Sequence, residues 1–319
     1  MNNQFKSIIL QVTGASSFHI EEVIQELWSG YGNIMRIRLE GAVINSVVIK
    51  HVQLPDHNNH PRGWNTDIGH QRKVKSYTVE TAWYERYSQD CTARLPKCLA
   101  VEQYQDEVLM ILEDLDLAGY PLRRNAVTWR EMTSCLKWLA EFHASFLGRD
   151  PEDIWDVGTY WHLETRPSEL DALTDLRLKA AAAEIDQKLN ACKYQTFVHG
   201  DAKLANFCFA EDGQVAGVDF QYVGGGCGIK DVAYFVGSCM NESECERLEG
   251  QILDTYFEAL QGRLDTKNQA LEDEWRSLYH VAWADFHRFL KGWSPGHWKI
   301  NGYSERITAE VIDRINLAS

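Results

Sequence analysis

The chain has 319 residues, 45% of them hydrophobic and 24% charged, which is ordinary for a globular protein long enough to build two lobes with separate cores. Its 32 basic and 46 acidic residues leave a formal charge of −14, which argues against a nucleic-acid backbone or an anionic membrane surface as the main partner. No run approaches the roughly 18 apolar residues of a membrane span, and the apolar stretch in the opening MNNQFKSIILQV is too short for a signal peptide. The eight cysteines are scattered without a C-x-x-C pair, so reduced thiols in a cytoplasmic setting are expected.

Residues 16–27 carry Ile20, Val23, Ile24 and Leu27 at helical spacing behind Ser17, with Glu21 and Glu22 in the first turn, and predict a helix. Gly30 and Gly32 follow, before the strand-like run at 34–39. A glycine-containing turn at that place can lay backbone N–H groups over phosphates. Residues 43–52 predict a β-branched strand with one lysine, Lys50, in an apolar setting. Residues 54–69 are rich in His, Asn, Pro and Gly and read as a long loop. Its His57 and His60, with the flanking His51 and His70, fit no common zinc spacing. A helix is predicted over 71–88, offering Glu80 and Glu85, then two strands at 98–104 and 108–112. The second ends in Glu113-Asp114-Leu115.

From residue 116 onward helices dominate. Residues 128–147 hold Met132, Cys135, Leu136, Leu139, Phe142 and His143 on one apolar face, where His143 reads as a packed core histidine. One long helix is predicted over 171–192. Residues 197–220 read as two short strands joined by the turn Glu211-Asp212-Gly213, with His199, Asp201, Lys203, Asn206 and Asp219 at the strand ends. Asp201 and Asn206 stand five apart across a loop, and the hairpin carries Asp219 back beside them. One proton-accepting acid, one amide oxygen and a second acid suit a divalent metal on a phosphate chain. The glycine run at 224–228 reads as a flexible turn, with an anion-binding nest as the alternative. The rest is helical, and its last third is aromatic.

H-G-D-A-K-L-A-N at 199–206, followed by Asp219-Phe220-Gln221, resembles the catalytic and metal-binding loops of the protein-kinase-like superfamily. The glycine after the histidine, and Asp219-Phe220-Gln221 in place of D-F-G, resemble the aminoglycoside phosphotransferase and choline kinase branch, and W-A-D-F-H-R-F-L-K-G-W-S-P-G-H-W-K at 283–299 resembles the substrate-side segment of its ecdysteroid-kinase-like group. The resemblance implies an α+β, two-lobed protein-kinase-like fold: a small β-rich N-lobe over 1–112, a hinge at 113–117 and a larger, mainly helical C-lobe over 118–319. It implies ATP and Mg²⁺ as cofactors. Asp201 would be the catalytic base, with Lys203 beside the transferring group, and Asn206 and Asp219 the metal ligands. Lys50, in a V-V-I-K run, would bind the α/β-phosphates and be held by Glu80, with Gly30 and Gly32 above the phosphates. The Glu113 carbonyl and the Leu115 N–H would hold adenine. Asp231 would brace the catalytic loop. Asp285, Arg288, His297 and Trp298 are the candidates for contacting substrate. Only 11 residues separate Asp219 from Asp231, which leaves no room for a protein kinase's peptide platform and implies a small hydroxylated acceptor. A nucleotide-binding module without catalysis is the main competing reading, and a protein kinase the lesser one. The acceptor's identity and the oligomeric state are not readable from the chain.

Overall fold

The computed structural model describes residues 3–27, 30–53 and 67–318. The helix α1 (Asn3–Thr13) precedes β1 (Ser17–Glu26), β2 (Gly32–Glu40) and β3 (Ser46–Gln53); α2 (Asp67–Ala82) then leads to β4 (Cys98–Tyr104) and β5 (Glu107–Glu113). The five strands form one antiparallel sheet in the order β1-β2-β3-β5-β4. The two-residue period divides its side chains. Val47, Ile49, Leu109 and Ile111 bury against Phe5 and Ile9 of α1, while Val48, Lys50 and Leu112 face a cleft on the other side.

Residues 17–26 form an edge strand rather than the expected helix. Register shifts between Ile20 and Glu22 and between Val23 and Gln25 break the pairing with β2. Such irregularities displace apolar residues from strict alternation, so Ile20, Val23 and Ile24 acquire a helix-like spacing on a strand. All three are exposed, whereas a helix would have buried them together. The 54–69 loop lies outside the described residues up to 66, and α2 already begins at Asp67.

The remaining elements are α3 (Trp129–Ser145), α4 (Pro167–Ala172), α5 (Leu176–Asn190), β6 (Thr196–Val198), β7 (Phe207–Phe209), β8 (Val215–Gly217), β9 (Gly224–Gly226), α6 (Ile229–Cys239), α7 (Glu242–Gln261), α8 (Gln269–Trp293) and α9 (Gly302–Ala318). Thr128 and Glu131 close a capping box on α3, whose Met132, Leu136, Leu139 and Phe142 enter the main core. The single helix expected over 171–192 is two: α4 stops at Ala172, and Asp175 caps a new start by accepting from the Leu178 N–H. The glycine run is likewise not a flexible turn. Gly224–Gly226 pairs antiparallel with β6 and is fully buried. A Cβ on Gly224 would sit 2.2 Å from the Trp155 carbonyl oxygen, so close backbone packing is what demands glycine there.

Candidate active site

The segment after β6 builds the centre. Asp231, in the first turn of α6, is completely buried and accepts from the His199 N–H at 2.5 Å and the Gly200 N–H at 3.0 Å. Its Oδ2 also lies 3.1 Å from His143 Nε2, and His143 Nδ1 is 2.7 Å from the Tyr256 hydroxyl. Asp231 thus ties the loop to α3 and α7. His199 Nε2 donates to the Val218 carbonyl at 3.0 Å while its Nδ1 accepts from the Asp201 N–H at 3.3 Å. Gly200 turns at φ +77°, and a Cβ there would lie 2.1 Å from the Tyr222 oxygen. Only glycine fits that approach.

Asp201 receives three donors. Lys203 Nζ lies 2.9 Å and Asn206 Nδ2 3.2 Å from its Oδ2, and the Tyr234 hydroxyl donates to Oδ1 at 2.9 Å. Burial pushes its carboxyl above the usual aspartate range, against the pull of Lys203. Asn206 also gives Nδ2 to the Asp201 carbonyl at 2.8 Å, so its amide oxygen takes no part in these two bonds, and Asn206 lines the cleft. The β7–β8 pairing and the Val218 N–H to Asn206 carbonyl bond, 3.0 Å, bring Asp219 back to the same place.

Lys50 from β3 meets Glu80 from α2 at 2.6 Å and Asp219 Oδ1 at 3.3 Å, with both Lys50 and Glu80 buried. Burial opposes the Lys50 charge, but Glu80 and Asp219 outweigh it and hold the ammonium above the ordinary lysine range. The competing Glu85 lies in the π-helical turn Trp83–Tyr87 that follows α2. Asp219 adopts φ +70°, rare for a residue with a Cβ. Burial would raise its carboxyl, yet Lys50, Lys73 and Lys203 together hold it below the usual range. One of these partners, Lys73, had no signal in the sequence: its Nζ donates to Gln221 Oε1 at 2.8 Å, and Gln221 Nε2 donates to Asp219 Oδ1 at 2.8 Å. Burial lowers the Lys73 ammonium to about 8.

Lys50, Glu80, Asn206, Asp219 and Gln221 line a cleft of about 990 Å³, its open mouth included, between the sheet and the helical part. Ile24, Leu27, Ile34, Val48 and Leu112 supply apolar walls, and Glu113 to Asp116 pass along one side. Arg36 Nε binds Asp114 at 2.9 Å, Arg36 also bonds Asp116, and Ser46 donates to Asp114, so the segment after β5 is held to the sheet. The Glu113 side chain accepts from Arg94 at 2.9 Å and the Lys97 N–H at 3.0 Å. Gly30 sits in the β1–β2 connection and Gly32 begins β2. Gly32 has φ +122°, and a Cβ there would meet the His51 carbonyl oxygen at 2.0 Å.

Of the substrate candidates, Asp285 and Arg288 are buried and paired with each other at 2.8 Å; Asp285 also accepts from Trp161 Nε1 at 3.0 Å, and Arg288 donates to the Trp161 carbonyl. They hold Trp161 in place from behind. His297 and Trp298 lie on the surface segment after α8, Trp298 exposed and stacked on His297 at 5.8 Å. His51 bonds Glu107 and His70 bonds the Tyr31 hydroxyl, while His57 and His60 lie outside the described residues. Among the described residues no cluster of three or more His, Cys, Asp and Glu side chains forms a metal site. A Mg²⁺ that takes most of its ligands from phosphate and water needs only one or two carboxylates, and the Asn206 amide oxygen with the Asp219 carboxylate is a fitting hard-oxygen pair.

An antiparallel sheet over a helical body, with a buried Lys–Glu pair facing an Asp–Asn–Asp set, defines a kinase-like phosphotransferase. The chain matches the model of the phosphotransferase enzyme family over residues 72–287 and belongs to that family. The match reaches the family and not the ecdysteroid-kinase-like group. Solved structures share the fold at low identity. An amicoumacin kinase in complex with AMP-PNP, Ca²⁺ and Ami is 15% identical with a TM-score of 0.55, covering 100% of this chain and 94% of its own. A microcompartment-associated aminopropanol kinase is 12% identical with a TM-score of 0.53, covering 99% and 98%. A thermostable mutant of aminoglycoside phosphotransferase APH(4)-Ia is 12% identical with a TM-score of 0.51, covering 98% and 100%. No curated protein matches the chain. Among the described residues no helix is long and apolar enough to cross a membrane.

Proposed function

We propose that the protein is an ATP- and Mg²⁺-dependent kinase that transfers the γ-phosphoryl group to a hydroxyl of a small molecule. The observation that supports this reading is that Lys50, Glu80, Asn206 and Asp219 line one cleft while Asp201 is hydrogen-bonded to Asn206 at 3.2 Å. Residues 1–112 and 118–319 act as two lobes, with 113–117 as the hinge whose Glu113 carbonyl and Leu115 N–H take adenine. Lys50, kept charged by Glu80, binds the α/β-phosphates, and the connection at Gly30 and Gly32 covers them. Asn206 and Asp219 would hold Mg²⁺, which would supply charge to offset that of the phosphates. Asp201 orients the acceptor hydroxyl and takes its proton as the oxygen bonds to the γ-phosphorus and the β–γ bridging oxygen leaves on ADP. Lys203 lies close enough to Asp201 to balance charge on the moving group. The transition state is loose, so positioning and charge carry the rate. Eight unpaired cysteines fit a cytoplasmic enzyme, and the resemblance to ecdysteroid-kinase-like enzymes favours a bulky, hydroxylated, apolar acceptor.

Asp201→Asn tests the base. Turnover is expected to fall about 10²–10⁴-fold, while the rise in melting temperature on adding Mg²⁺ and AMP-PNP persists. A variant turning over at the parent rate would overturn the assignment.

A further inference from the structure

Besides Glu80, α2 carries a lysine to the reacting groups. Lys73, Ser76, Tyr77 and Glu80 fall at intervals of three, four and seven residues and so share one helix face. Seven residues at about 1.5 Å each set Lys73 about 10 Å from Glu80 along the axis, toward the N-terminus of α2. Lys73 Nζ donates to Gln221 Oε1 at 2.8 Å and lies 4.6 Å from the Tyr77 ring. Ser76 Oγ donates to the same Oε1 at 3.3 Å, and Gln221 Nε2 donates to Asp219 Oδ1 at 2.8 Å. With Oε1 taken by two donors and Nε2 by a carboxylate, the amide of the buried Gln221 has one orientation. It fixes Lys73 two hydrogen bonds from the Asp219 carboxylate, and Gln221 and Asp219 both line the cleft.

Lys73 differs from the other two lysines of the centre in its partner. Lys50 is paired with Glu80 at 2.6 Å and Lys203 with Asp201 at 2.9 Å. Among the described residues Lys73 forms no ion pair with a carboxylate, and its hydrogen bond goes to a neutral amide. Asp219, Glu80 and Asp201 act on its charge from farther off and favour the ammonium, while Lys50 disfavours it. Burial is the larger effect and lowers the ammonium to about 8. An ammonium has three N–H donors, and a partly dehydrated one is costly until an anion meets it. Lysine meets phosphate as a point charge.

We propose that Lys73 receives the terminal phosphate of the nucleotide, joining Lys203 beside the transferring group while Lys50 receives the α/β-phosphates. This rests on the kinase reading of the same cleft. The choice of phosphate follows from position. Lys50 meets Glu80, whereas Lys73 stands about two turns further along α2 and in the field of Asp201, where transfer takes place. Gln221 stands between the Lys73 ammonium and Asp219, so Lys73 does not compete for the carboxylate that would hold Mg²⁺.

The test is isothermal titration calorimetry of the full chain with Mg²⁺ and either ADP or AMP-PNP, which differ by the γ-phosphate. Lys73→Met should weaken AMP-PNP about 10-fold or more, the loss of one charge-assisted bond. ADP affinity should stay within about 3-fold of the parent. Lys73→Gln, which keeps a polar side chain without the charge, should give the same split. A merely structural role for Lys73 would move Lys50 and Glu80 and weaken both nucleotides alike. Equal losses for the two nucleotides, or AMP-PNP affinity unchanged in both variants, would each overturn the proposal. A parent chain that binds neither nucleotide with Mg²⁺ would overturn the kinase reading, and the proposal with it.

Discussion

Asp231→Asn puts the bracing of the catalytic loop to a quantitative test. The substitution keeps volume and replaces one acceptor oxygen by an NH₂ group. Asp231 takes three donors, from the His199 N–H, the Gly200 N–H and His143 Nε2. Whichever way the amide turns, an N–H donor then faces another donor in a fully buried place. One charge-assisted bond worth about 1.5–3 kcal/mol is lost, a buried N–H left without its partner costs about 1–3 kcal/mol, and the remaining bonds weaken. A total of about 3–5 kcal/mol follows. With an unfolding entropy of about 2.1 cal/mol/K per residue over a helical part of about 200 residues, the melting temperature should drop about 7–12 °C. Because His199 and Gly200 set the position of Asp201, a shift near 1 Å in the loop should also cost about 10²-fold in kcat. Differential scanning calorimetry and steady-state kinetics read the two effects. A melting temperature within about 1 °C of the parent, with unchanged kcat, would refute the bracing role.

Two further predictions follow from the geometry. Gly200→Ala must relieve a contact of 2.1 Å to the Tyr222 oxygen at φ +77°, so a stability loss of at least about 2 kcal/mol and a large fall in kcat are expected; denaturant titration showing parent stability would contradict this. Folding stability should rise with pH between about 8 and 10.5, because burial lowers Lys299 to about 8, and denaturant titrations across that range should find the rise absent in Lys299→Met. Cys239, Asp201 and Lys203 act on its charge, and it acts in turn on His297. The unfolded lysine holds its proton to the ordinary 10.5 while the folded one has released it, so this residue makes stability rise with pH between those values.

What the sequence showed and what it hid have separate physical causes. The 197–220 hairpin was legible because its strands, turn residues and polar ends lie within one short stretch. The five-strand sheet was partly legible from β-branched runs such as 47–52. Residues 16–27 misled because irregular pairing displaced apolar residues into a 3–4 spacing, and periodicity cannot separate that from a helix. Gly224–Gly226 misled because glycine signals turns, whereas here it admits Trp155 backbone against a buried strand. Lys73 was silent because its partnership with Gln221 spans 148 positions; nothing local marks a lysine that will meet a glutamine across the fold.

The strained backbone at Asp219 is intelligible only with its neighbours. A non-glycine residue at φ +70° costs about 1–3 kcal/mol and persists only where the surroundings demand it. Lys50 and Gln221 fix its carboxylate from two sides. The next residue, Phe220, stacks on Trp83 at 4.6 Å and packs against His199 at 4.8 Å and Phe142 at 6.2 Å. Trp83 immediately follows α2, the helix that carries Glu80 to Lys50. Moving α2 away would therefore break a buried ion pair, whose loss of one partner costs about 3–5 kcal/mol, and would unstack Phe220 in the same motion. The position of α2, the charge of Lys50 and the strained Asp219 are one mechanical unit, which is why a loop held in an unfavourable conformation can stand open to the cleft without relaxing.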